Sequence, residues 1–392
     1  MPNDFARALC TVVLASTVLT ACDAKQSAPA SSSVRTDSAG VEIVTGPAAD
    51  QPLNMELREV FRIGGNDSGP GSFSSAHTSV VRTDAAGRIY VLDTKQHRVE
   101  VFDSLGNHIR FVGQRGGGPG EMQDPAQLFV LDDGTIGVSD YGKRAIVRWA
   151  ADGSVLPEFA LSFFPSDPLR MSGDTLLYVH EDYEQQQNAQ VLRIASPRDT
   201  VSMSPLTRPT TGMIMFSCIG LNLPPMFTQA LVWSGTAERL ATSLQVPYVV
   251  DVYEQGRLVR SVRRPITTQA PTVEHVNRLH PDGMQIRFNG GACTVPAAEL
   301  LEKQGVADRL PLVEALQFDR QARLWVQRYG IRDEPRSVDV FDRDGNYSGT
   351  LSGRAVPLGF IGNDIALFAE PDDETGVVQI AAYALSPPRE SE

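Results

Sequence analysis

From about Val41 onward, apolar residues recur at alternate positions in short runs, separated by clusters of Gly, Pro, Asp and Asn. Val99 and Val101 flank Glu100, and Val338 and Val340 flank Asp339. This alternation predicts strands with one buried face, and the Asp/Gly turns between them supply the positive φ of tight hairpins. Helical spacing is readable only in Val273–Leu279 and Ala297–Gln304, with Thr294 or the Val295-Pro296 step opening the second.

The runs repeat. Gly69-Pro70-Gly71-Ser72-Phe73 recurs as Gly118-Pro119-Gly120-Glu121-Met122, each followed at equal distance by an acidic turn residue, Asp84 or Asp133. Ile89-Tyr90-Val91-Leu92-Asp93 then corresponds to Ile136-Gly137-Val138-Ser139-Asp140, and Val99–Phe102 to Ile146–Trp149, closing at Gly106 and Gly153. A third copy runs from Leu324-Trp325-Val326 through Val338–Asp342 to Gly345-Asn346. A four-stranded antiparallel unit of this kind cannot bury both faces alone, so units must stack around an axis.

The Gly-Pro-Gly-x-Phe/Met turn, the Asp-x-x-Gly-x-Ile/Leu-Tyr/Trp-Val strand and the Val-Phe-Asp-x-x-Gly hairpin resemble the NHL-type repeats of six-bladed propellers. The resemblance covers roughly 61–161 and 311–351. The spacing would also suit WD40 or kelch blades, whose Trp-Asp or Gly-Gly patterns are missing. The expected fold is all-β: a six-bladed β-propeller of four-stranded antiparallel blades. Blades are predicted near Ser79–Val112, Leu128–Leu161, Leu169–Met203, Leu231–Val262, Val313–Leu351 and Leu358–Leu385. Leu53–Ile63 has no blade of its own and is expected to add a strand to the last one, removing a free edge. A seventh blade would have to hide in an insertion.

Two insertions break the repeat, at about 207–229 and 266–310, flanking the same blade. The first is rich in Met and Pro. Met213, Met215, Phe216, Met226 and Phe227 form a candidate binding surface, because Met and Phe make an adaptable apolar face. The rival reading is that they cap one end of the ring.

The N-terminus changes the picture from fold to address. Arg7 precedes an apolar stretch, Ala8–Leu19, too short for a permanent span but suited to a signal-peptide core. It ends in Leu19-Thr20-Ala21-Cys22, which resembles the lipobox of bacterial lipoproteins; the resemblance implies acylation of Cys22. The expected organisation is a signal peptide at 1–21, a flexible tether at 22–40 and one propeller domain at 41–392. The expected location is the bacterial cell envelope, periplasmic side or cell surface, with the membrane as partner through the lipid. Asp23 resembles an inner-membrane retention signal of enterobacteria. Maturation leaves Cys218 and Cys293, one in each insertion. An even pair without metal-ligand spacing in an oxidising compartment reads as a disulfide.

Composition excludes more than it selects. The 392 residues are 42% hydrophobic, enough for a sizeable core, and 33 Gly with 26 Pro fit many turns. A net charge of −12 argues against a nucleic-acid partner.

No catalytic constellation stands out. Gly116–Gly120 lacks the Lys-Ser/Thr and following helix of a phosphate loop and is a repeated turn. His275 and His280 sit five apart, on different sides of a helix, so a helical zinc pair is not expected. His77, His97, His108 and His180 would have to converge at the axis to act together. Asp93, Asp140 and Asp251 end strands; Asp93 and Asp140 read as hairpin caps within each repeat, although some lactonase-like and lyase-like propellers hold Ca²⁺ or Zn²⁺ with such residues. His180-Glu181-Asp182-Tyr183-Glu184 reads as an exposed acidic hairpin. The expected function is therefore a binding module for a protein, peptide or glycan, with no required cofactor and no metal ligands assigned. The alternative is a metal-dependent hydrolase or lyase with axial Ca or Zn.

Overall fold

The computed structural model describes residues 33–387 except 66–68, 74, 78–79, 132, 162–165, 173–174, 183–187, 196–199, 209–212, 289–290, 332–333 and 373–374. The chain is a six-bladed β-propeller. Blade 1 spans Val81–Val112, blade 2 Pro125–Ala160 and blade 3 Ser166–Arg208; blade 4 spans Val232–Arg263, blade 5 Val313–Ser352 and blade 6 Gly359–Ser386. Blades 1 to 5 each supply four strands in antiparallel order from the axis outward. Blade 6 supplies three, and strand β3 (Glu56–Gly64) completes it by pairing with Val378–Ser386, from Glu56 opposite Ser386 to Gly64 opposite Gln379. The ring is thus closed by hydrogen bonds between Glu56–Gly64, which precedes blade 1, and the last strand.

The repeated turns use the same chemistry in each copy. The Asp103 carboxylate accepts from the backbone N–H groups of Leu105 and Asn107 and from the Asn107 amide. Asp342 accepts from Asp344 and Asn346 in the same pattern. Gly106 and Gly345 follow in the left-handed region, at φ 85° and 83°. A Cβ on either would lie 2.7 Å from the neighbouring blade, on Phe61 or Arg260, so both the conformation and the contact require glycine. The inner turns repeat likewise: Asp84 binds Arg88 and the Tyr90 hydroxyl, and Asp319 binds Arg323 and the Trp325 indole N–H. Glutamines tie one blade to the next. The Gln127 and Gln327 side-chain oxygens accept from Leu169 N–H and Val356 N–H, where the following blades begin.

Residues 34–45 form a strap on the ring. Strand β1 (Val34–Ser38) pairs with β2 (Val41–Thr45), and β2 runs parallel to Arg257–Arg263, the outer strand of blade 4. Of the expected tether at 22–40, Val34–Ser38 is a strand, and 22–32 lie outside the described residues. The physical reason is the free outer edge of blade 4, which β2 covers while burying Val44 and pairing Glu42 with Arg260 at 2.8 Å. Pro52 then bridges to Thr350 of blade 5 before β3 reaches blade 6.

The strap is locked to blades 4 and 5 by a buried ion network. Asp339 and Arg264 pair at 2.9 Å with both side chains fully buried. Asp339 also accepts from Arg328, from the Tyr248 hydroxyl at 2.6 Å and from the Thr350 hydroxyl. Arg264 donates onward to the carbonyls of Pro47, Ala48 and Ala49 and to Asp50. Nearly every donor and acceptor of this ion cluster is matched, which is the condition under which buried charge is tolerated.

Candidate functional site

The two insertions meet. Cys218 and Cys293 form a disulfide with 6.2 Å between their Cα atoms, closing 75 residues of chain. Each insertion contributes a short hairpin, Met213–Met215 with Gly220–Asn222 and Met284–Phe288 with Gly291–Val295. The second adds helices α1 (Val273–Leu279) and α2 (Ala297–Lys303), where the spacing predicts them, with Thr272 and Pro296 as N-caps. Together the insertions enclose a core of Ile214, Phe216, Val276, Val295 and Leu300. Polar ties complete the join. Ser217 donates from its backbone and hydroxyl to Glu299, and Lys303 donates to the Met215 carbonyl at 2.8 Å. The Lys303 and Ser217 contacts hold the Glu299 carboxyl below its ordinary value.

The five apolar residues singled out in the first insertion divide. Phe216, Met226 and Phe227 are buried in the module core, so the surface expected to contain them does not. The reason is that α2 and the second hairpin cover them, a packing partner lying about 75 positions away in sequence. Met213 and Met215 are 68% and 66% exposed, on either side of the buried Ile214. The strand alternation puts both thioethers on the solvent face. Thr207 and Arg208, assigned to the insertion, extend the outer strand of blade 3 instead. Cys22 lies outside the described residues.

Asp93 and Asp140 end strands and cap the turns that follow, whereas Asp251, expected to end a strand, lies inside Val249–Glu254 because the pairing runs on through Glu254. Asp93 accepts from the backbone N–H groups of Lys95 and Gln96, and Asp140 from those of Gln123, Asp124 and Lys143. Asp251 accepts from the Ser261 hydroxyl. His97 contacts the carbonyls of Lys95 and Gln123, His108 stacks near Phe102 and Phe111, and His275 completes the capping box of α1. Burial lowers the pKa of His280, the C-cap of the same helix. The hairpin at His180–Glu184 lies partly outside the described residues. The Gly-Pro-Gly segments are turns in both copies: Ser72 N–H donates to Gly69 and Glu121 N–H to Gly118. Among the described residues, no three His, Cys, Asp or Glu side chains gather closely enough to hold a metal.

The sequence pointed to an axial channel but not to the residues that line its mouth. Its mouth at the end opposite the insertions is a cavity of about 280 Å³ lined by all six blades, including Arg82, Arg170 and Arg320. The signal was legible in part: Arg82 and Arg170 each follow an apolar residue near the start of a predicted blade. Their convergence needs the ring.

Comparison with known proteins supports the architecture. A family model described as a 6-bladed beta-propeller matches residues 77–205, which hold blades 1 and 2 and most of blade 3. No curated protein matches the sequence. A Bacteroides fragilis protein described as exported superposes with a TM-score of 0.54 at 12% identity, covering 88% of this chain and 100% of that one. A duf4221-family member from Bacteroides vulgatus gives 0.48 at 10% identity over 86% of this chain and 99% of that one. A calcium-binding regucalcin from Agrobacterium tumefaciens gives 0.40 at 12% identity over 88% and 97%.

Proposed function

We propose that this protein is a lipid-anchored envelope propeller that binds a protein or peptide through its disulfide-closed insert module. The observation that carries this is the strand Met213-Ile214-Met215, held rigidly by Cys218–Cys293 while presenting two thioethers to solvent. A flexible, polarisable side chain on a fixed backbone suits an apolar partner surface at low ordering cost. An axial metal-dependent hydrolase or lyase would call for inward Asp, Glu, Asn or His residues from several blades. The described lining of the mouth brings in Asp319 alone.

The anchor rests on Leu19–Cys22, and the NHL-type ancestry of blades 1, 2 and 5 on their shared motifs and turn bonds. With acylation at Cys22, the linker to Ser33 reaches at most about 35–40 Å when extended, so the propeller stays close to the membrane. Replacing Cys22 by Ala should move the protein from the membrane fraction to the soluble fraction. Retention of the variant in membranes would overturn the anchor.

Partner binding is checked with a photo-crosslinking amino acid placed in cells at Met213, at Met215 and at Leu105. Leu105 is equally exposed, in a turn at the other end of blade 1. The same discrete adduct from 213 and 215, none from 105, is expected. Equal labelling at all three positions, or none, overturns the reading.

A further inference from the structure

We propose a second binding site, at the axial mouth opposite the insertions, for a small anion bearing more than one carboxylate or phosphate oxygen. It is independent of the insert module and lies at the other end of the ring. The mouth is formed by the ends of the inner strands and the turns that follow them. Arg82 comes from blade 1, Arg170 from blade 3 and Arg320 from blade 5, so cations enter from alternate blades around the axis.

The first two occupy equivalent positions. Arg82 lies opposite Tyr90 and Arg170 opposite Leu177, the same rung of their blades, and each donates to the carbonyl of its own preceding residue, Val81 or Leu169. The same rung in blades 2, 4, 5 and 6 carries Phe129, Ser234, Gln317 and Phe360. Arg320 reaches in from the turn after the blade 5 inner strand and donates to the Asp84 carbonyl at 2.7 Å, joining blade 5 to blade 1 across the opening.

Charge decides what such a cavity accepts. Among the described lining residues the one carboxylate is Asp319, which is committed to Arg323 and to the Trp325 indole N–H. A chain of net charge −12 therefore gathers three guanidinium groups at one concave opening. Apolar walls such as Phe129 and Phe360 lower the local dielectric and strengthen the attraction for an anion. Guanidinium geometry matches carboxylate and phosphate oxygens. The volume, about 280 Å³, suits a molecule of a few heavy-atom groups.

The test is calorimetric titration of the full-length protein in detergent, at constant ionic strength, with citrate, glycerol 3-phosphate and inorganic phosphate. Saturable binding at one site per chain is expected for at least one of them, and the preferred probe identifies carboxylate or phosphate as the natural group. Arg82→Gln and Arg170→Gln should each weaken it about tenfold or more, and Arg82→Lys less. Arg320→Gln, at an exposed turn, keeps the inner strands unaltered and should weaken binding too. Arg62→Gln, on the outer strand β3, should leave it unchanged. The proposal is overturned if no probe saturates at millimolar concentration, or if Arg320→Gln and the rung variants bind as the wild type does. It is overturned equally if Arg62→Gln matches their loss. Crosslinking at Met213 is expected to be indifferent to Arg82→Gln, so the two sites fail or stand separately.

Discussion

Replacing Asp339 by Ala is expected to destabilise the propeller by about 3–5 kcal/mol, a large share of the stability of any single domain. Asp339 is the common acceptor for Arg264, Arg328, Tyr248 and Thr350. Its loss leaves the fully buried Arg264 guanidinium facing carbonyls and the half-exposed Asp50. The damage should be greatest where blades 4 and 5 meet the strap, because Arg264 ties Pro47–Asp50 to the ring. Urea unfolding followed by Trp fluorescence measures it; a shift below about 1 kcal/mol would show that the cluster is solvated in the working protein. The same network sets pH limits. The hydrogen bond from Arg328 holds Asp50 below its ordinary 3.8, so its contribution is present above that value and is lost as pH falls through the lower folded one. Burial, then Asp339, pushes the Tyr248 hydroxyl well above 10.0. Its contribution is full below pH 10 and declines as pH rises beyond it. Tyr248→Phe should flatten that alkaline decline.

Removing the disulfide by Cys218→Ser with Cys293→Ser should destabilise the insert module by about 4 kcal/mol in the chain-entropy model, given the 75 residues it closes. The effect should be local. The module core is a cluster separate from the blade cores, so backbone amides in 213–222 and 284–303 should lose exchange protection first while blade strands keep theirs. Hydrogen exchange resolved by residue distinguishes this from a global loss. Crosslinking at Met213 should fall in parallel, because Met213 and Met215 are presented by a hairpin whose inner face is that core. Simultaneous exchange of ring and module would mean that the two form one cooperative unit.

The blades were readable because each is made from residues close in sequence. Alternation around Val99–Phe102, the Asp103 and Asp342 turns and the recurring Gly-Pro-Gly are local facts, and local chemistry suffices to specify a hairpin. The disulfide was readable for another reason: once the N-terminal cysteines are set aside, Cys218 and Cys293 have no other partner. Burial in the insertions was not. Met213 and Met226 look alike in composition, and their opposite fates, 68% exposed and 5% exposed, follow from whether α2 and the second hairpin lie against them. The strap was missed for a similar cause. Val34–Ser38 has weak alternation and becomes a strand because β2, itself docked on the outer edge of blade 4, offers it hydrogen bonds.

By itself, the sequence determined the repeating blade, a closing strand within Leu53–Ile63 and the approximate position of both insertions. These depend on period-two patterning and turn residues, which act over a few positions. Only the tertiary structure decided which apolar residues face solvent, where the buried charges of Asp339 and Arg264 find partners, and that Arg82, Arg170 and Arg320 share one opening. Those outcomes depend on residues more than 70 positions apart being brought together by closure of the ring, and no local pattern encodes a distance across an axis.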